Sequence, residues 1–305
     1  MPDLLLIVNP RSANGSTGRR WQAIEARLRS LLPPFDVAFT ERPGHATAIA
    51  REAAGRYGCV ALVGGDGTVN EVANGLIADD HPLRSDLTLG VIPRGTGADF
   101  VRTLGIPHDL QRAAERLAMG EVREIDVGKI RYRSPDGSEA IRYFLNEADI
   151  GMGAVICERV NRSSKRLGGR FSFLRATLIS GLTYRGQPVS LSLDGAPAER
   201  TILSNAWFAN GQYSGGGMRD APRARLDDGL LDVVCIDHAG FFRRFALLPK
   251  LRSGAFVDLP QVSYRTARRI EAQSEGPVGV ATEGEAIGSL PATFELIDER
   301  LKVIA

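Results

Sequence analysis

Over roughly the first 120 residues, short apolar runs alternate with stretches of helical spacing. Residues 4–8 are apolar at every position and predict a buried strand that runs into Asn9-Pro10, then Gly15 and Gly18. Trp21, Ile24, Leu28 and Leu31 recur at helical intervals, and Pro33-Pro34 ends that helix. Residues 37–40 predict a second strand, and the Ala-rich 45–57 a helix after Gly44. A third strand, 59–63, enters Gly64-Gly65-Asp66-Gly67, with a helix over 69–76. The strand 89–92 leads into Pro93-Arg94-Gly95-Thr96-Gly97-Ala98-Asp99-Phe100, and a helix covers 110–119. Strands apolar on both faces and separated by helices predict a parallel sheet covered on two sides. Ligands of such sheets bind beyond the carboxyl ends of the strands, where all three glycine-containing loops lie.

The pattern changes near residue 125. Strand-like segments follow at 125–132, 141–148, 189–193, 200–209, 231–236, 261–267, 269–272, 278–282 and 292–297. Residues 171–184 and 241–252 interrupt them with helical patterning. The expectation is an α/β chain: a Rossmann-like parallel-sheet domain over 1–124, then a mainly antiparallel β-sandwich or barrel over 125–291. A final strand within 292–305 has the option of returning to the first domain.

Composition narrows the chemistry. The chain has 305 residues, 43% hydrophobic and 24% charged, with a formal net charge of +2. A domain that lives on phosphate backbones usually carries a larger basic excess, so nucleic acid is not the expected partner. Cys59, Cys157 and Cys235 are far apart and odd in number, which points to thiols in a reducing compartment rather than a disulfide or zinc framework. No uncharged run reaches the 18 residues of a membrane span, and the short apolar N-terminus lacks a basic flank. A cytoplasmic protein is expected.

The loop Gly64-Gly65-Asp66-Gly67-Thr68-Val69-Asn70 is the most informative local feature. Glycines let backbone approach a ligand, and the amides at the next helix start favour an anion. A tight strand-turn-helix with Thr68 as a cap explains the same residues. The spacing is neither G-x-G-x-x-G nor Walker A. Gly95, Thr96 and Asp99 repeat the theme, and Asn9 with Ser12 and Gly15 forms a third polar loop. Three such loops on one sheet edge suggest a nucleotide site.

The ordered set of these motifs resembles the diacylglycerol kinase catalytic domain family, the soluble bacterial lipid kinases related to sphingosine and ceramide kinases. The resemblance rests on Asn9-Pro10, Thr40, Gly64 to Asn70, and Pro93 to Phe100. It continues with Asn146, Gly151 and Gly153, then Leu226-Asp227-Asp228-Gly229-Leu230-Leu231-Asp232, and last Glu283-Gly284-Glu285. It implies an NAD kinase/diacylglycerol kinase-like architecture with ATP between two domains. ATP would contact Asn9, Thr40, Gly64, Gly65, Asp66, Gly67, Thr68, Val69, Asn70, Gly95 and Thr96. Asp66 would orient the metal-phosphate unit. Asp228, with the main-chain oxygens of Arg225 and Leu230, would hold a structural magnesium ion, although Asp227-Asp228-Gly229 alone reads as a turn. Glu283 would take the proton of a lipid hydroxyl, with Glu285 binding the catalytic magnesium or orienting Glu283.

Two positions depart from the family pattern. Glu283 stands where an Asp is usual, one methylene longer, and Ala98 stands where Asn is more frequent. The side chain of Arg102 either reaches phosphates or packs on its own loop. The expected activity is ATP-dependent phosphorylation of a lipid alcohol, diacylglycerol or a relative. The alternatives are an NAD kinase-like small-molecule kinase and an ATP-binding regulator with weakened catalysis. Aromatics beside arginines at 170–175 and 241–250 suggest transient contact with a membrane surface, peripherally at the inner face. A homodimer is one assembly left open.

Overall fold

The computed structural model describes residues 3–95, 97–162, 169–238 and 249–305, with side chains at all of these except 162 and 169–174. The chain divides into two compact units, Met1–Val127 with Ile297–Ala305, and Gly128–Leu296.

The first unit runs β1 (Leu4–Val8), α1 (Ser16–Arg19), α2 (Trp21–Arg29), β2 (Phe35–Phe39), α3 (His45–Ala53), β3 (Cys59–Gly64) and α4 (Asp66–Leu76). A small hairpin, β4 (Ile77–Ala78) and β5 (His81–Pro82), precedes β6 (Thr88–Pro93), α5 (Asp99–Leu104), α6 (Leu110–Met119) and β7 (Val122–Ile125). The second unit comprises β8 (Gly128–Arg133), β9 (Glu139–Phe144), β10 (Glu147–Gly151), α7 (Met152–Arg162), α8 (Gly169–Thr183), β11 (Gln187–Leu193) and β12 (Glu199–Ala209). It continues with β13 (Leu231–Asp237), β14 (Val262–Ala267), β15 (Arg269–Ser274), β16 (Gly279–Thr282) and β17 (Glu285–Leu296). The last strand, β18 (Leu301–Ile304), belongs to the first unit.

The first sheet has the order β2-β1-β3-β6-β18-β7. Its pairings are parallel except β18 with β7. Strand alternation explains its two faces. Leu4, Leu6 and Val8 pack with Trp21, Ile24 and Leu28 of α2 and with Ala114 and Leu117 of α6. Leu5 and Ile7 are equally buried on the opposite face, where α3 and α4 lie against β1 and β3. Those two helices approach closely at Gly75. A Cβ there would sit 2.4 Å from the Thr47 carbonyl oxygen and 2.7 Å from the Ala50 Cβ.

The second unit is antiparallel throughout. β10 pairs with both β16 and β12, so β10-β16-β17-β15-β11-β12 closes into a barrel. Closure leaves no open edge among these six strands, while β13-β14 and β8-β9 branch from β12 and β17. Its interior holds Phe144, Ala148, Ile150, Leu203, Phe208 and Phe294, among others. A second cluster, including Trp207, Val234 and Phe256, covers the outer side of β12 and β13.

Several local expectations need correction. The apolar stretch 125–132 is broken at Asp126-Val127, and its two parts serve different sheets: β7 in the first and β8 in the second. The stretch 141–148 is likewise two strands, β9 and β10, and α5 and α7 were not anticipated. Helix 171–184 is present as α8, whereas most of 241–252 lies outside the described residues.

Gly75→Ala introduces a methyl where backbone already stands. Overpacking of this kind destabilises by about 1–3 kcal/mol, more than the helix propensity gained. The expected outcome is a thermal midpoint lower by several degrees, measured by calorimetry. An unchanged or higher midpoint would show that α3 and α4 separate freely.

Candidate active site

In the first unit, the loops after β1, β3 and β6 meet through backbone contacts. Gly65 and Gly95 touch, and a Cβ built on Gly95 would lie 2.7 Å from the Gly65 Cα. The Arg94 amide donates to the Gly64 carbonyl at 2.6 Å. Asp66 locks the pair. Its Oδ2 accepts the Ala98 amide at 2.7 Å, and its Oδ1 accepts those of Asp99 and Phe100 at 3.0 and 3.4 Å. A carboxylate at the first turn of α5 also suits the dipole of that helix. Ala98 is held at φ 56, in the left-handed region where a side chain costs about 1 kcal/mol.

The other candidates take different places. Thr68 does not cap α4, whose N-cap Gly65 receives no side-chain bond. Its hydroxyl instead accepts from Asn9 Nδ2 at 3.0 Å, tying the β1 loop to the β3 loop. Val69 and Asn70 are buried in α4. Thr40 follows β2, its amide donating to the Val8 carbonyl at 2.9 Å. Gly67 is exposed, and Thr96 lies outside the described residues. Arg102 packs on its own loop, with Nη1 2.8 Å from Asp99 Oδ1.

In the second unit, Glu283 and Gly284 are the two central residues of the β16–β17 hairpin, with Thr282 paired to Glu285. Both have positive φ, 51 and 75, the pattern of a type I′ turn. The turn is anchored to β10: the Glu283 amide donates to the Glu147 carbonyl at 3.0 Å, and the Thr282 hydroxyl donates to the same oxygen at 2.9 Å. Glu283 Oε1 accepts the amides of Leu145 and Asn146, each at 2.8 Å. Two backbone donors thus fix the position of this carboxylate. Glu285 is turned to Arg142, its Oε2 2.7 Å from Nη2.

Asn146 joins the hairpin to a neighbouring loop. Its Nδ2 donates to the Tyr213 carbonyl at 2.7 Å, and its own carbonyl accepts from Asn210 and Gly211. Gly215, Gly216 and Gly217 all have positive φ in a turn closed by the Ser214–Met218 bridge. Sequence reasoning missed Asp149. It lies on buried β10, one oxygen accepting the Ala154 amide at the start of α7, while Oδ1 has no hydrogen-bond partner. Gly153 leaves it room, because a Cβ there would stand 2.2 Å from Oδ1. Burial pushes the Asp149 carboxyl up to about 7. The available signal was the alternation Glu147-Ala148-Asp149-Ile150, which puts two acids on one face.

The proposed magnesium loop is a compact turn. Asp228 Oδ1 accepts the Leu230 amide at 3.1 Å, Gly229 has φ 74, and Arg225 pairs with Asp227 at 3.2 Å. No cluster of three or more His, Cys, Asp or Glu able to hold a metal occurs among the described residues. One carboxylate with two carbonyl oxygens still provides the hard donors that magnesium takes alongside water.

Comparison with known proteins agrees with both units. Residues 3–130 match the diacylglycerol kinase catalytic domain, and residues 147–305 match the YegS C-terminal NAD kinase beta sandwich-like domain. The chain is 31% identical over 291 residues to a probable lipid kinase YegS-like protein of Chromohalobacter salexigens, covering 93% of this chain and 86% of that one. It is 28% identical over 300 residues to a diacylglycerol kinase of Mycobacterium tuberculosis, covering 98% and 93%. A diacylglycerol kinase crystal structure from Bacillus anthracis superposes with a TM-score of 0.73 at 26% identity, covering 99% and 96%.

Asp149 generates a pH prediction. Its folded pKa is raised, so its contribution to stability is full below the unfolded value near 3.8 and is lost as pH rises to about 7. Asp149→Asn keeps the acceptor for Ala154 and removes that loss. The variant should gain stability relative to the parent between pH 4 and 7, by on the order of a few kcal/mol, then level off. Denaturant titrations across this range check it; a difference independent of pH would refute it.

Proposed function

Because the chain belongs to the diacylglycerol kinase catalytic domain family and is an ATP-dependent lipid kinase of that type, we propose that Glu283 is its general base and that diacylglycerol or a closely related lipid alcohol is its acceptor. The observation that carries this reading is the Glu283 carboxylate, fixed by the Leu145 and Asn146 amides on a tight turn. A fixed carboxylate can accept a proton from a hydroxyl placed beside it, and positioning of this kind governs rate. Relatives named diacylglycerol kinase support the acceptor class.

The phosphates of ATP are assigned to the glycine loops Gly64–Gly67 and Gly95–Gly97 of the first unit. Backbone amides and the absence of side chains at Gly65 and Gly95 suit a phosphate chain. Asp66 is a positioning residue that holds the two loops in register. Asn9, Thr40 and Thr68 border the same strand ends, and Thr96 completes the nucleotide set. The acceptor hydroxyl loses its proton to Glu283 as its oxygen attacks the γ-phosphorus, and ADP leaves. Arg142 holds Glu285, and so steadies the end of the hairpin that carries Glu283. Arg225, Asp228 and Leu230 would hold a structural magnesium ion. Magnesium carried with ATP supplies charge neutralisation on the transferring oxygens.

We place the protein peripherally, in transient contact with the inner membrane surface. No helix of the described residues is long and apolar enough to cross a bilayer. Leu178, Ile179 and Leu182 are exposed on α8, with exposed Arg175 at the same helical face. Of the two segments 170–175 and 241–250, the side chains of 170–174 and residues 241–248 lie outside the described residues.

Labelled ATP with a panel of lipids in mixed micelles tests the assignment. The parent should phosphorylate diacylglycerol above the other alcohols. Glu283→Ala should lower kcat by about 10²–10⁴-fold while ATP binding persists. Equal turnover by parent and variant would overturn the role of Glu283. Preference for a chemically distant acceptor would overturn the substrate class.

A further inference from the structure

Arg94 stands between Pro93, the last residue of β6, and Gly95, which touches Gly65. It is half-buried, and its Nε is enclosed with no hydrogen-bond partner. No ion pair to Arg94 occurs among the described residues. The acids of this loop region are already engaged. Asp66 accepts from Ala98, Asp99 and Phe100, and Asp99 pairs with Arg102. The backbone of Arg94 is itself anchored, because its amide donates to the Gly64 carbonyl. Arg94 thus stands between two glycine loops, anchored by its backbone, with its Nε unsatisfied and no ion pair to it among the described residues.

Partial burial of a cation without a counter-ion is unfavourable, and an arriving anion removes that penalty. A guanidinium presents planar paired donors that match phosphate oxygens. We propose that Arg94 is a phosphate-binding residue of the nucleotide site, engaging the polyphosphate of ATP. This rests on the assignment of the glycine loops to ATP. It adds a side-chain cation to a site otherwise read as backbone donors and metal. An anionic lipid headgroup presents the same phosphate chemistry, so the test must separate the two sources.

Binding of ATP, ADP, AMP and adenosine is measured by calorimetry in the absence of lipid, for the parent, Arg94→Gln and Arg94→Lys. Arg94→Gln should weaken ATP by about ten- to hundredfold and leave adenosine unchanged, with no fall in the thermal midpoint of the nucleotide-free protein. Arg94→Lys, which retains charge without the planar fork, should fall between. In vesicle assays the KM for ATP should rise and that for lipid stay constant. Equal weakening of ATP and adenosine would mean that Arg94 only shapes the loop and would overturn the proposal. So would unchanged ATP binding with a raised KM for anionic vesicles, which would assign Arg94 to a headgroup. A parent that binds neither ATP nor adenosine would remove the nucleotide assignment itself, an outcome distinct from failure of Arg94 alone.

Discussion

Backbone touching backbone at Gly65 and Gly95 is the constraint on which the loop end of the first unit depends. Side chains at either position would separate the ends of β3 and β6. Their contact is stabilised by a carboxylate rather than by apolar packing. Asp66 reaches from the start of α4 to the amides that open α5. Three otherwise unsatisfied helix-end donors are served by one side chain. The same bonds hold Ala98 in a conformation that alanine disfavours. Asp66 therefore has a clear structural task before any metal or phosphate is considered.

The second unit uses the opposite device, a strained turn on a closed barrel. Barrel closure fixes β10 between β12 and β16, and β10 supplies the carbonyl that receives both Thr282 and Glu283. The type I′ geometry favours Asp, Asn or Gly at the first central position. Glutamate there carries a left-handed backbone with a longer side chain. Its carboxylate reaches the Leu145 and Asn146 amides, which gives this longer side chain a defined anchor.

Buried polarity concentrates along β10 and its neighbours. Glu147 and Asp149 share one face, and Asn205 donor and acceptor groups lie beside the start of α7. Such groups hold a unique arrangement only when partnered, and Asp149 is served mainly by Ala154. A carboxyl raised to about 7 next to the hairpin makes stability sensitive to pH between about 4 and 7.

Much of the fold was legible because it is written locally. The apolar runs at 4–8 and 59–63, the helical spacing of 110–119 and the glycine loops at strand ends each reflect short-range periodicity or turn chemistry. The ordered motifs also marked the family. What local pattern could not decide was partnership. Residues 125–132 look like one strand, yet Asp126-Val127 separates two that join different sheets, and β18 enters the first sheet from the far end of the chain. The commitment of Asp66 to α5, of Thr68 to Asn9 and of Glu283 to β10 spans 32, 59 and 138 residues. Hydrogen bonds of that separation depend on which strands become neighbours. Residue identity sets what each side chain can bind; only the tertiary arrangement of strands decides which donor arrives, and hence which polar groups are left for a ligand.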